Sequence, residues 1–375
     1  MLTPSQVEAL RIYSAQIADP ISDFLIKDIA RRIQEAAQLT STAQYQVFRL
    51  QQFGVSQRQL KQQLRKLYNL SHREIRQLLT QSAEVGYRYD LSKLPFVQAV
   101  PFHRNPIMQQ MVQAAMDMAT ADFTNLVQTL GMVDPFGHAM PLQNVYHSAT
   151  DFAFKQVFTG AADYNTAVRQ ASANIYKNGV RTIDYASGVH TSLEAAVRRN
   201  IMGGLGLMQE RISRYNHDAM GADGWEISAH EGSAPDHEPY QGKQYSDDEY
   251  AELNGELHRR IGTLNCGHSA SPIILGVSQP QYTDEELRRM REDNAKGVNV
   301  DGKHYTSYEA TQRQRGIERA VRTQKRKVTM LVGDDRKQAS SRLVRLNQEY
   351  KRFSRAAGLR TESERLHVAG FGRAG

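Results

Sequence analysis

One stretch of this sequence holds four side chains that could grip a single metal ion: His230, His237, Cys266 and His268. They form two pairs, His230 with His237 across a turn-rich stretch, and Cys266 with His268 across the single residue Gly267. Structural zinc takes four nitrogen or sulfur ligands in a tetrahedron. A one-residue spacer lets two side chains converge where the backbone turns, and Gly267 would permit such a turn. Cys266 is the only cysteine, so the chain forms no internal disulfide. Its thiol fits a reducing compartment or a thiolate held by metal. The same residues support a second reading, a hydrogen-bonded knot of imidazoles and thiol packed under the only tryptophan, Trp225. Catalysis is the weaker chemistry. A metal-dependent nuclease wants an open coordination position and a general base. Asp236 and His237 could be recruited to that role, but four protein ligands would close the site, and no carboxylate pair accompanies them. A cysteine nucleophile two residues from its histidine has poor attack geometry. No enzyme is expected.

The elements that must position this cluster are short strands. Trp225–Ala229 alternates in strand fashion, Gln241–Ser246 leads out of a turn, and Ser271–Gly276 is a third extended piece. They define a small β-containing (α+β) module near 222–280. Everything around it reads as helix, so the fold class is mainly α, with a multi-helix N-terminal region and long basic C-terminal helices. The first region, 1–95, has Pro-initiated helix starts at Thr3-Pro4 and Asp19-Pro20. Ile21, Phe24, Leu25, Ile29 and Ile33 follow at helical spacing. Gly54-Val55-Ser56 interrupts the pattern, and Ser71 with Glu74 forms a capping box. Short helices joined by tight turns are therefore expected. Pro95, Pro101 and Pro106 mark a linker to a central helical domain, 105–220. There a methionine-rich stripe (Met108, Met111, Met116, Met118) reads as core packing. Breaks fall near Gly160, Gly179 and Gly188. Gly203-Gly204 sits inside a helical stripe, which calls for close approach of another backbone.

The last region, 281–375, opens on a Thr283/Glu286 capping box and holds a hairpin signal at Asp301-Gly302. A basic helix begins near Ser307 and a further one carries Leu343, Leu346, Tyr350 and Phe353. The Gly-, Arg- and Ala-rich end from Arg355 is expected to be loosely ordered. The chain's formal net charge is +7, and residues 281–375 hold all of that excess, with 22 Lys and Arg against 13 Asp and Glu. Such asymmetry points to a polyanion or an acidic protein surface, or to a merely solvated face. Arg315, Arg319, Arg322, Lys325, Arg326 and Lys327 are the candidate contacts to nucleic acid or an acidic partner. No apolar run reaches the ~18 residues of a membrane span, and the first residues lack the pattern of a secretory signal.

The motif residues also carry a resemblance. His230-Glu231-Gly232-Ser233-Ala234-Pro235-Asp236-His237, Tyr240-Gln241-Gly242-Lys243-Gln244-Tyr245-Ser246 and Asn265-Cys266-Gly267-His268-Ser269 resemble the signature of the phage minor capsid protein 2 family. That family is related to the Mu-F-like head morphogenesis proteins of tailed phages. In those relatives the motif is richer in cysteine, and His237, Cys266 and His268 stand where cysteines commonly stand. Two departures are Gly267, in place of an arginine, and Ala234, where an arginine often precedes the proline. The helix around Ala196–Asn200 and the helices after Tyr282 and Tyr308 extend the resemblance over most of the chain. It implies a minor structural protein of the phage head. Such a protein would be assembled in the host cytoplasm and located in the virion, supporting morphogenesis and DNA packaging or ejection. The implied partners are the portal protein, the major capsid or scaffold protein, and double-stranded DNA bound without sequence preference; no membrane is involved. Structural zinc is the one cofactor considered. The alternatives are a metal-dependent nuclease or virion-carried effector enzyme, and a nucleic-acid-binding adaptor unconnected with a capsid.

Overall fold

A computed structural model describes residues 4–92, 100–129, 131–133, 139–178, 181–183, 190–262, 267–368 and 371. Thr3, Pro95, Gly179, Gly188 and Cys266 lie outside these residues. The helices are α1 (Pro4–Gln16), α2 (Asp19–Ala37), α3 (Thr42–Ser92), α4 (Pro106–Thr129), α5 (Leu142–Phe158), α6 (Tyr164–Asn178) and α7 (Leu193–Met220). They continue with α8 (Asp247–Glu256), α9 (Asp284–Lys296), α10 (Ser307–Met330) and α11 (Gly333–Ala356). The strands pair as antiparallel two-stranded units, β1 (Gly131–Val133) with β2 (Ala139–Pro141), and β3 (Arg181–Ile183) with β4 (His190–Ser192). Strands β5 (Gly224–Ile227), β6 (Gln244–Ser246) and β7 (Ala270–Ile273) form one sheet in the order β6-β5-β7, and β8 (Val298–Val300) pairs with β9 (Lys303–Tyr305). The chain is thus mainly α with a small β-containing module. None of the described helices is long and apolar enough to cross a membrane.

One apolar core runs through the helices. Ile21, Leu25, Ile29 and Ile33 of α2 are buried in it, as their spacing requires, together with Met108 and Met116 of α4 and Val321 and Tyr350 of the last two helices. Helices α4 and α7 make close contact at Gly204, where a Cβ would lie 3.0 Å from the Ala115 carbonyl oxygen. This is the backbone approach that the paired glycines call for. Helix α4 starts where the Asn105 side chain accepts the Ile107 and Met108 amides, at 3.1 and 3.4 Å.

Two expectations fail. Helix α3 runs unbroken for 51 residues through Gly54 and Ser71. Ser71 is buried and donates its hydroxyl to the Ile17 carbonyl at 3.2 Å instead of capping a helix. Leu64, Ile75, Leu78 and Leu79 keep one buried stripe across it, so tertiary packing overrides the local stop signal. The described part of the Gly-, Arg- and Ala-rich end is also better packed than its composition suggests. Residues 359–368 lie as a strap over α10, including a 3₁₀ turn at Ser363–Leu366.

Other local signals hold. Thr283 and Thr306 both form complete capping boxes, with Glu286 and Glu309. Asp301 and Gly302 adopt φ of 52° and 77°, the two positive angles that a tight two-residue hairpin turn requires.

Candidate functional site

Strand β5 is the centre of the module. Trp225 pairs with Tyr245 on one side and Pro272 on the other. With Ile227, Tyr250 and Ile261 it forms an apolar core separate from the helical one. The indole is stacked between His217 and Tyr250, at centroid distances of 4.8 and 5.3 Å. The chain leaving β5 loops from Ser228 to Lys243 and is tied back where the Gly242 amide donates to the Ile227 carbonyl at 2.9 Å. Gly242 has φ of 73°, and a Cβ there would collide with Leu287 of α9, so this turn admits only glycine.

That loop and the approach to β7 bring three of the four sequence-selected residues together. The His230 and His268 rings stack at 4.5 Å, and His237 meets His268 edge-on at 5.4 Å. Gln241 organises them: its Oε1 accepts the His230 amide at 3.1 Å and the His268 Nε2–H at 3.0 Å. His237 Nε2 donates to the Arg259 carbonyl at 2.7 Å, and Arg259 in turn grips Asp236, with its closest contact at 2.6 Å. The Asp236 carboxyl is held below its ordinary value chiefly by those Arg259 hydrogen bonds. His268 is pushed down to about 2 by burial first and by the neighbouring His230 and His237 next. Burial lowers His230 as well. His268 is therefore neutral at any ordinary pH.

The chain bends at Gly267, and the glycine has a second service there. A Cβ at this position would lie 2.4 Å from His230 Nε2, so the missing side chain is what makes room for that ring. His230 Nδ1 donates to the Glu231 carbonyl at 3.0 Å, which leaves the lone pair on Nε2. That Nε2 is buried and has no hydrogen-bond partner among the described residues. A histidine fixed through one nitrogen with the other one bare is the form in which imidazole binds metal. The fit is partial. His237 and His268 spend Nε2 on hydrogen bonds and would have to meet an ion through Nδ1. Among the described residues no group of three His, Cys, Asp or Glu side chains is arranged to hold a metal ion. The fourth member of the set, Cys266, lies outside them.

The second sequence-selected set lies on α10, and its members have different surroundings. Arg315 forms an ion pair with Glu8 of α1 at 3.6 Å. Arg322 donates to the Arg365 carbonyl at 2.5 Å, and the buried Lys325 to the Leu366 carbonyl at 2.6 Å. Lys327 sits over the Tyr176 ring at 4.9 Å. Arg326 is half-buried, whereas Arg319 is exposed. Sequence reasoning did not single out the cations of α11. Arg342, Arg345, Lys351 and Arg355 are exposed and form no ion pair among the described residues. Their spacing, with Leu343, Tyr350 and Phe353 buried between them, was the available signal.

The family model described as phage minor capsid protein 2 matches residues 2–354. No curated protein and no solved structure matches the chain.

Proposed function

The chain belongs to the phage minor capsid protein 2 family, which gives it a structural role in the phage head, and on that premise we propose that it is a non-enzymatic head component that contacts packaged DNA through α11. The observation that carries this reading is the set of exposed cations Arg342, Arg345, Lys351 and Arg355, spread over the solvent-facing half of that helix. Four cations facing solvent with no ion-pair partner suit phosphates, and such contacts are independent of sequence. Arg319 of α10 extends the same chemistry. In this reading the other five α10 residues serve mainly to hold the molecule together. The helical N-terminal half would face the portal protein and the major capsid or scaffold protein, and the role would be exercised during head morphogenesis and DNA packaging or ejection.

The test is double-stranded DNA binding by the full chain across a range of salt. Each phosphate contact adds about 0.9 to the slope of log K against log salt. Replacing Arg342, Arg345 and Arg355 with Ala should therefore lower the slope by about 2.7. An unaltered slope would remove the α11 assignment.

For the histidine cluster we propose structural zinc held by His230, His237, His268 and Cys266. The bare, buried Nε2 of His230 supports it. When bound, the ion would supply only a clamp for a module whose own core is small. Elemental analysis of the purified chain should give one zinc per molecule, lost in Cys266→Ser. Protein free of zinc would leave the hydrogen-bonded knot as the reading of these residues.

A further inference from the structure

Helix α3 carries a basic face that the bulk charge count conceals. Residues 49–76 hold seven Lys and Arg against one carboxylate, Glu74. The rest of residues 1–280 holds 18 Lys and Arg against 26 Asp and Glu. The helix is continuous through this stretch, so side chains return to one face every 3.6 residues. Gln62, Arg65, Lys66, Asn69, Arg73 and Arg76 then fall within about 100° of arc, along roughly 21 Å of the axis. All six are exposed. Leu64, Ser71, Ile75 and Leu78 are buried on the opposite side, and Glu74 lies outside the arc.

Arg65, Lys66 and Arg73 form no ion pair among the described residues. Arg76 gives one hydrogen bond to the neutral Gln113 of α4, at 2.8 Å, and keeps its charge. Every residue of the arc can donate hydrogen bonds, and none is apolar or acidic. A protein interface closes around an apolar centre, which this face lacks. Duplex DNA presents one negative charge per ~1.7 Å of its axis, and Arg, Lys, Asn and Gln are side chains that reach its phosphates. The face therefore fits a phosphodiester backbone better than an acidic protein. Helix α3 packs on α2, α4 and α7, whereas α11 packs on α6 and α10, so the two basic helices present separate surfaces.

We propose that Arg65, Lys66, Arg73 and Arg76 of α3, with Gln62 and Asn69 between them, bind the backbone of duplex DNA at a site separate from α11. The α3 site stands on its own cations. That one chain then holds two duplexes rests on the α11 reading as well. Such a chain ties neighbouring DNA segments together, while the other N-terminal helices remain for protein partners.

The experiment is calorimetry of the full chain with a short DNA duplex in excess, repeated over a range of salt. Two duplexes should bind per chain. Replacing Arg65, Lys66 and Arg73 with Gln should leave one, and so should replacing Arg342, Arg345 and Arg355 with Ala. In the chain without the α11 cations, the remaining duplex should weaken with salt at a slope of about 3.6, the value for four phosphate contacts. Arg65→Lys combined with Arg73→Lys keeps the charge and should retain both duplexes, which separates lost charge from lost fold. One duplex per chain, lost with the α11 cations and untouched by the α3 changes, would overturn the α3 site and leave α11 standing. One duplex lost with the α3 cations and untouched by the α11 changes would support α3 and remove α11. Poly-glutamate that displaces the duplex from α3 as effectively as competing DNA would overturn the proposal in favour of an acidic protein partner.

Discussion

Helices α10 and α11 are both 24 residues long, both rich in Lys and Arg, and packed against each other, yet their cations have different surroundings. On α10 Arg315, Arg322, Lys325 and Lys327 turn to Glu8, to the carbonyls of the strap and to the Tyr176 ring, while Arg319 stays exposed. On α11 Arg342, Arg345, Lys351 and Arg355 project into solvent, while Lys337 pairs with Asp334 and Arg352 with Asp301. A basic stretch of sequence is therefore not yet a contact surface. What decides is whether each cation has a partner within its own chain. A side chain that gives a hydrogen bond to a carbonyl 41 or 43 residues away has one donor and its own position fixed within the chain.

The largest test of this contrast concerns stability. Tyr350 faces inward on α11, donates its hydroxyl to Glu318 at 3.3 Å and accepts the Glu362 amide at 2.9 Å, so it joins both helices and the strap. Tyr350→Ala should cost about 3–5 kcal/mol by urea denaturation, from lost burial and the cavity left behind. Arg345→Ala, one and a half turns away on the outer face, should change stability by less than about 0.5 kcal/mol. Similar costs for the two would mean that the inner and outer faces of α11 are assigned wrongly.

A second test moves the boundary between the two sets. Removing residues 362–375 takes away the carbonyls that hold Arg322 and Lys325. The segment has two acidic residues and two arginines, so the formal net charge does not change. The salt slope of DNA binding should nevertheless rise by about 2 as two cations are released. If it stays level, α10 is withheld from DNA by something other than the strap.

Lys325→Met is a smaller perturbation and a sharper one. Lys325 is buried and its ammonium donates to the Leu366 carbonyl, so an apolar side chain of similar length relieves a buried charge but loses that hydrogen bond, and stability should change by less than about 1 kcal/mol. DNA affinity should not move. A drop in affinity would return Lys325 to the contact set chosen from sequence.

The parts legible in sequence are those fixed by near neighbours. The capping boxes of α9 and α10, the Asp301-Gly302 turn and the three extended pieces around Trp225 all follow from residues a few positions apart. So does the apolar stripe of α2. The cluster of His230, His237 and His268 was legible as a set, but the service of Gly267 was not, because it depends on where the His230 ring lands. Ser71 carries a genuine cap signal that is overruled by a carbonyl in the turn between α1 and α2. The fate of the α10 cations was hidden for the same reason, since a strap many turns later in the chain leaves no periodic trace in the helix it covers.

Gly203 and Gly204 bring the same lesson down to two adjacent residues. Both lie inside α7, where Ala is the better helix former by about 1 kcal/mol. At Gly203 a Cβ would meet only the Met118 sulfur, at 4.0 Å. Gly203→Ala should therefore stabilise the chain by about 0.5 kcal/mol. At Gly204 the neighbour is backbone, the Ala115 oxygen at 3.0 Å and its Cα at 3.6 Å, and neither can swing aside. Gly204→Ala should separate α4 from α7 and cost about 1–2 kcal/mol in spite of the same gain in propensity. Opposite signs in thermal denaturation are the expected result. Equal signs would mean that α4 and α7 are not in backbone contact at Ala115, because propensity alone cannot distinguish the two sites.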